Sequence, residues 1–372
     1  MKIVMITNDT NFAYNLRREI LEQFVKAGHE VVLVAEILNF KEQFNEMGVR
    51  LVNVKTGRHG TNPVDDMNLF RMYRRILKAE HPQIVFTNNI KPNAYAGLSC
   101  KMLGISYIPN VTGLGTPVEN PGPLQKLTTY LYKLGVSGAK TIFFQNSENQ
   151  KFFEDRNMIP SSCKPVLLPG SGVNLSSHPL LPYPGENEQI HFLFVARIMK
   201  EKGIDLFLAA AKKITKQRND VVFDVVGQCD DPSYQEILKN AQERGEIVYH
   251  GLQHNVIPFY EKCSCFLYPS YYPEGMSNVL LEAAASGRPV IAADRAGCRE
   301  TLDDGITGFL VPVNDEKAVI EATEKFLQMS SEERKAMGLA GRAKMEREFD
   351  RKIVVKAYLE EIQAIEGCND GL

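Results

Sequence analysis

Residues able to do chemistry concentrate in two short segments of the second half of the chain. In Phe194-Val-Ala-Arg197-Ile-Met-Lys-Glu-Lys202-Gly203-Ile-Asp205, Arg197 and Lys202 follow an apolar run. Such a run reads as a buried strand, which puts Arg197 at its carboxyl end and Lys202 just ahead of a helix. Arg as a planar fork and Lys as a point charge together suit a diphosphate. The same pair in isolation reads as a solvated loop, and its place at a strand end is what favours binding.

The second segment is Tyr268-Pro-Ser-Tyr-Tyr-Pro-Glu274-Gly275-Met276-Ser277-Asn278-Val-Leu-Leu-Glu282-Ala-Ala-Ala-Ser-Gly287-Arg-Pro289-Val. A strand runs through a Pro/Gly loop into a helix expected to begin near Ser277. Free N–H groups and a positive dipole make that helix start a phosphate cradle. Glu274 precedes it and Glu282 lies about one and a half turns inside, where a carboxylate reaches polyol hydroxyls beside the phosphate. One carboxylate alone would read as a cap or a solvated charge. Two framing a helix start in an apolar segment point to ligand recognition.

No metal or cofactor is expected. The seven cysteines (Cys100, Cys163, Cys229, Cys263, Cys265, Cys298, Cys368) are odd in number and scattered. Cys263-Ser-Cys265 fits neither a redox nor a zinc spacing, so reduced and mostly buried thiols are expected. Gly113-Leu-Gly115 and Gly170-Ser-Gly172 begin like a dinucleotide fingerprint but lack its third glycine. Gly113 and Gly115 let backbone approach a sugar or lipid phosphate, or simply make a turn.

The elements that must position these residues alternate between strand and helix. In the first half the strands are Lys2–Thr7, Val31–Ala35, Ile84–Phe86, Ile105–Pro109 and Thr141–Gln145, which closes the series; Ala13–Lys26 and Asn68–Ala79 read as helices. Gly28 is placed to end the first helix in a left-handed cap. Ser176–Gln189, with Pro179, Pro182 and Pro184, reads as a linker. Strands resume at His191–Val195, Val221–Val226, Ile247–His250, Cys265–Tyr268, Pro289–Ala293 and Phe309–Val311, with a helix at Leu206–Lys213 and one long charged helix at Glu332–Gln363. The fold class is α/β: two doubly wound, Rossmann-like domains facing across a cleft. The expected bounds are 1–180 and 188–350, with a helix at about 350–372 packing back on the first domain.

The net charge of −2 in 372 residues conceals an asymmetry: residues 1–180 carry +6 and residues 181–372 carry −8. The basic half suits an anionic surface, or the two domains merely differ in charge. Asn68–Lys78 sets Arg71, Arg74, Arg75 and Lys78 opposite Leu69, Tyr73, Ile76 and Leu77. Leu124–Leu134 interleaves Lys126 and Lys133 with Leu127, Tyr130, Leu131 and Tyr132. Both fit a peripheral anionic membrane contact as well as they fit surface helices packed on a sheet. No apolar run is long enough to span a bilayer, and the N-terminus reads as a strand and not as a signal peptide, so a cytoplasmic location, peripheral on the inner membrane face, is expected.

Arg197, Lys202-Gly203, Glu274-Gly275 with Glu282, Gly287-Arg-Pro289, Glu300 after Gly297, and Gly305-x-x-Gly308-Phe309 resemble the signature of retaining family 4 glycosyltransferases, which have the GT-B fold. That resemblance implies a nucleotide-sugar donor, with UDP expected because the family members resembled mostly use it. It places Arg197 and Lys202 on the leaving diphosphate, Glu274 on donor-sugar hydroxyls, Glu282 on ribose hydroxyls, and the amides of Met276, Ser277 and Asn278 on phosphate. Tyr14-Asn-Leu-Arg17, Lys91-Pro-Asn-Ala-Tyr-Ala-Gly97 and Asn110-Val-Thr112-Gly113-Leu-Gly115 are similar to bacterial transferases that extend polyprenyl-diphosphate-linked saccharides. Arg17, Lys91, Gly113 and Gly115 are therefore the acceptor-side candidates, and a lipid-linked saccharide is the implied acceptor. The loop Asn8-Asp-Thr-Asn11 lacks the common Gly-Gly, and the Thr112-Gly113 stretch has no His where many members place one. No His is assigned to catalysis, and no nucleic acid is expected as partner. The rival readings are a nucleotide-sugar 2-epimerase, which needs acid/base residues around the sugar, and a non-catalytic nucleotide-sugar-binding subunit.

Overall fold

In a computed structural model of the chain, all residues are described except 56–62, 116–117, 119–121, 187 and 370–372. They form two compact units. One comprises Met1–Ser171, Pro273–Met276 and the C-terminal segment from Lys352; the other comprises Gly172–Tyr272 and Ser277–Arg351.

The first unit is built on β1 (Lys2–Asp9), β2 (Glu30–Glu36), β3 (Val49–Asn53), β4 (Ile84–Asn88), β5 (Ser106–Val111), β6 (Thr141–Phe144) and β7 (Lys164–Leu167). They make one parallel sheet in the order β3-β2-β1-β4-β5-β6-β7. Helices cover both faces, which is why the central strands are apolar on both sides. Val4 and Ile6 enter one core while Ile3 and Met5 enter the other, the two-residue alternation of a strand. The helix Thr10–Lys26 starts where the Asp9 carboxylate accepts from Phe12 N, and it ends before Gly28 at φ 83°, the left-handed cap expected there.

Thr141–Gln145 does not close this series, because β7 adds one more strand beside β6. An edge strand with Pro165 and mostly exposed side chains has no alternation to announce it. Likewise Glu332–Gln363 is not one helix. Ser331–Glu348 and Arg351–Asn369 are separate, and the chain between them pairs with Val173: Val173 N donates to Phe349 O (2.8 Å) and Arg351 N to Val173 O (3.0 Å). Beyond the break, Val354, Tyr358 and Ile362 are buried in the core of the first unit at helical spacing, with Tyr358 against Phe86 and Phe143.

The Lys91–Gly97 motif does structural work in the same unit. Pro92–Ala96 is a π-turn, and the buried Asn93 accepts from Thr87 Oγ1 (2.7 Å) while donating to Asn110 O (2.8 Å) and Tyr132 Oη (3.0 Å). It thereby ties β4, β5 and the helix Pro123–Val136. A Cβ at Gly97 would stand 2.3 Å from Gly135 O, so the helix Gly97–Leu103 touches Pro123–Val136 backbone to backbone.

The second unit holds β8 (Ile190–Val195), β9 (Val221–Val226), β10 (Val248–Tyr249), β11 (Cys263–Tyr268), β12 (Val290–Ala293) and β13 (Gly308–Val311), a parallel sheet in the order β10-β9-β8-β11-β12-β13. Chain order reverses between β8 and β11, and in such sheets the reversal point opens a crevice at the carboxyl ends of the strands. Cys100, Cys263, Cys265 and Cys298 are buried free thiols, while Cys163 and Cys229 are partly exposed free thiols; Cys368 lies outside the described side chains. No helix among the described residues is long and apolar enough to cross a membrane.

Candidate functional site

In the second unit Arg197, Lys202 and the Ser277 helix start follow the carboxyl ends of β8 and β11, while Glu274, Gly275 and Met276 belong to the first unit. Arg197 follows β8 with its side chain exposed. Lys202 ends the 3-10 turn Lys200–Lys202, is nearly buried, and sets Nζ 4.5 Å from the Tyr272 ring centroid and 5.9 Å from that of Tyr268. Aromatic faces hold the ammonium by cation–π attraction. The turn is fastened to the loop after β11: Tyr271 N donates to Glu201 O (2.9 Å), and Ser270 Oγ donates to the same carbonyl (3.3 Å). Gly203 is required here, since at φ 82° a Cβ would lie 2.3 Å from Pro269 O.

The helix Asn278–Ala285 opens at Ser277, whose backbone N donates to Gly297 O (2.7 Å), so of the three amides expected on phosphate that of Ser277 is already engaged within the protein. Ser277 Oγ and Asn278 Oδ1 are buried without a hydrogen-bond partner among the described residues. Each such atom costs free energy until a ligand or water meets it. Farther into the helix, Glu282 is half-buried beside Tyr260, with the phenolic O–H 3.3 Å from Oε2. Burial pushes the Glu282 carboxyl up to about 7, against the opposing charge of Arg351 and the Tyr260 hydrogen bond. Burial together with Arg351 also drives the nearby His178 down to about 4, so this ring is neutral.

Pro273–Met276 counts with the first unit, where the ends of three strands cradle it. Asn146 Nδ2 donates to Gly275 O (2.6 Å) and to Glu274 O (3.2 Å). A Cβ on Gly275 would meet Thr112 O and Gln145 Oε1 at 2.5 Å, and one on Gly170 would meet the Met276 side chain at 2.4 Å. Gly113, at φ 135°, faces the backbone of Gly275 and Pro273. Its freedom therefore serves a close approach of two protein loops, where sequence reading offered a sugar, a lipid phosphate or a plain turn.

The other acceptor-side candidates lie near the carboxyl ends of β4 and β5. Arg17 is fully buried, donating Nε to Asn88 Oδ1 (2.8 Å) and Nη1 to Leu16 O (2.7 Å) and Ser171 Oγ (2.9 Å). It braces the first helix against β4. Lys91 is half-buried with Nζ 3.1 Å from Asp66 Oδ1, and Gly115 takes a left-handed φ of 71°. His250 and His254 stand four residues apart, yet the stretch is not helical. Instead Asp224 accepts from His250 Nε2 (2.7 Å) and His191 Nδ1 (2.6 Å) across the second sheet. Sequence reading missed Asn146; an Asn ahead of a helix signals a cap, but not what else its amide holds.

Two parallel-sheet Rossmann-like units with these strand orders define the GT-B class. Sucrose-phosphate synthase from Thermosynechococcus elongatus has the same fold, with a TM-score of 0.78 at 17% identity over 99% of this chain and 100% of that one. So has Anabaena Alr3699/HepE, solved with UDP-glucose, at a TM-score of 0.76 and 13% identity over 98% and 100%. Residues 189–329 match the family model "Glycosyl transferases group 1", and residues 18–162 match "Glycosyltransferase Family 4". The chain is therefore a glycosyltransferase, with a family 4 domain followed by a group 1 domain. Along its whole length it is similar to the N,N'-diacetylbacillosaminyl-diphospho-undecaprenol alpha-1,3-N-acetylgalactosaminyltransferase of Campylobacter jejuni, 23% identical over 96% of this chain and 97% of the relative. The capsular polysaccharide biosynthesis glycosyltransferase CapM of Staphylococcus aureus is 30% identical over 45% of this chain and 44% of its own.

Proposed function

We propose that the enzyme transfers a hexose or N-acetylhexosamine from UDP, with retention of anomeric configuration, to a hydroxyl of a lipid-linked saccharide during assembly of a bacterial surface glycan. The observation that carries this reading is the set of Arg197, Lys202 and the Ser277 helix start at the reversal point of the second sheet. Two cations and free helix N–H groups complement the charge that develops on a departing diphosphate. Glu274 and Glu282 supply carboxylates for sugar and ribose hydroxyls. On the retaining front-side route, the bond from anomeric carbon to phosphate oxygen breaks as the acceptor oxygen bonds to the same face. The leaving phosphate oxygen takes the acceptor proton, so no protein base is needed.

The acceptor part of the reading is supported by the end-to-end likeness to the Campylobacter transferase, whose name specifies an undecaprenol-diphosphate-linked substrate. Membrane docking is supported by two exposed faces of the first unit. Pro63–Glu80 exposes Val64, Met67 and Met72 along with Arg71, Arg74, Arg75 and Lys78. Pro123–Val136 exposes Leu124, Leu127 and Tyr130 along with Lys126 and Lys133. Apolar groups beside cations suit the headgroup region of an anionic leaflet.

The test is a panel of UDP-sugars against short polyprenyl-diphosphate saccharides, with the product anomer read by NMR. Transfer with the α-anomeric bond retained supports the proposal. An inverted product refutes retention, binding of UDP-sugar without transfer or slow hydrolysis favours a sensor, and epimerised free donor favours the epimerase.

A further inference from the structure

We infer that Asn146 is a positioning residue for the donor: its side-chain amide sets the peptide planes of the Glu274–Met276 loop, and with them the groups that meet the sugar and its phosphate. This deepens the proposed function and rests on it for the identity of the ligand.

Asn146 is 2% exposed and performs two tasks at once. Its Oδ1 accepts from Asn149 N (2.8 Å) and caps the helix Ser147–Asp155. That cap fixes the side-chain rotamer and leaves Nδ2 aimed away from the helix, where it donates to Gly275 O (2.6 Å) and Glu274 O (3.2 Å). Both amide hydrogens have consecutive carbonyls as partners. In a planar trans peptide the N–H points opposite to the C=O. Holding Gly275 O therefore turns Met276 N–H away from Asn146, and that amide is among those the family resemblance assigns to phosphate, whereas Ser277 N is held by Gly297 O. Holding Glu274 O fixes the backbone from which the Glu274 carboxylate projects. Gly275 has no side chain of its own to orient the loop, so the Asn146 amide adds a directional hold to its close packing.

The two tasks can be separated chemically. Asn146→Asp keeps an oxygen for the helix cap but replaces the donating amide with an acceptor facing two carbonyls. Asn146→Ala loses both. Three quantities are measured on the full chain: melting temperature, hydrogen exchange of the Gly275 and Met276 amides by mass spectrometry, and steady-state kinetics with the best UDP-sugar. For Asn146→Asp the inference expects a melting temperature close to wild type and at least tenfold faster exchange in 273–276. It also expects kcat reduced at least tenfold, with the acceptor KM within about twofold of wild type. For Asn146→Ala the melting temperature falls as well, with no further loss of kcat beyond Asp. Wild-type kcat in Asn146→Asp overturns the inference, as does unchanged exchange in the loop. A loss of activity that follows melting temperature across the two variants overturns it too, since capping alone would then explain it. A wild type inactive on every UDP-sugar refutes the function instead, and the exchange data still decide whether Asn146 pins the loop.

Discussion

Replacing Glu282 by Gln probes the electrostatics of the donor site in a way that can be worked through in advance. The carboxyl rises from the ordinary 4.5 to about 7 because burial penalises its charged form. A raised acid pKa means that the folded chain takes up a proton which the unfolded chain has already lost between these two values. The group therefore weakens the fold progressively as pH climbs through that window, and the loss is complete and constant above it. At about 1.4 kcal/mol per pKa unit the ceiling is about 3 kcal/mol, and the solvent reaching this half-buried side chain brings the expected effect to roughly 1–3 kcal/mol. Gln has the same shape and no titration. Urea unfolding at a series of pH values should show the variant and wild type nearly equal at about pH 5, with Gln ahead by that amount at about pH 8. Binding should move the other way. Ribose hydroxyls donate to a carboxylate better than to a neutral acid, so the wild-type affinity for UDP should strengthen as pH approaches 7 and then level off. The Gln variant should bind more weakly at neutral pH and show no such rise. Parallel stability curves for the two proteins, or a wild-type UDP affinity indifferent to pH, would refute the reasoning.

Four further outcomes are expected. Arg197→Ala and Lys202→Ala should each weaken UDP binding by about 1.5–3 kcal/mol in calorimetry and depress turnover; wild-type affinity and rate in both would remove them from the diphosphate. Gly275→Ala, whose Cβ would fall 2.5 Å from Thr112 O, should lower stability by roughly 1–3 kcal/mol in urea titrations and nearly abolish transfer, whereas a normal enzyme would show that the close approach is dispensable. Chelator should leave activity largely intact, because on the proposed reading Arg197 and Lys202 neutralise the diphosphate in place of a metal; full loss restored by one divalent ion contradicts this. Sedimentation with vesicles should rise with anionic lipid, fall with added salt and drop sharply in an Arg71/Arg74/Arg75/Lys78→Ser variant, at about 1 kcal/mol per charge; negligible binding by both proteins rejects membrane docking.

Part of this protein could be read without coordinates because the relevant signals are local. A strand alternates every second residue and a helix every third or fourth, so most of the core strands and the helix ending before Gly28 are visible from short windows. Arg197, Lys202 and Ser277 are legible for a related reason: each stands at the end of a strand or the start of a helix, and parallel sheets place those ends on one edge. The strand Lys164–Leu167 escaped notice because an exposed edge strand has no apolar face to display.

What only the tertiary structure decided depends on pairs of residues far apart in the chain. The apparent single helix Glu332–Gln363 breaks because Val173 pairs with Phe349 and Arg351, and nothing within the helical stretch records that partner. Arg17, an acceptor-side candidate by family resemblance, is enclosed by Asn88 and Ser171. Gly113 owes its backbone to Gly275, and Asn146, which looks like an ordinary helix cap, also grips two carbonyls of the Glu274–Gly275 loop. Periodicity reports which face of an element is buried, not which distant residue lies against it. A single hydrogen bond between remote positions leaves no repeat in the sequence, and becomes visible only when the chain has folded and brought its two ends together.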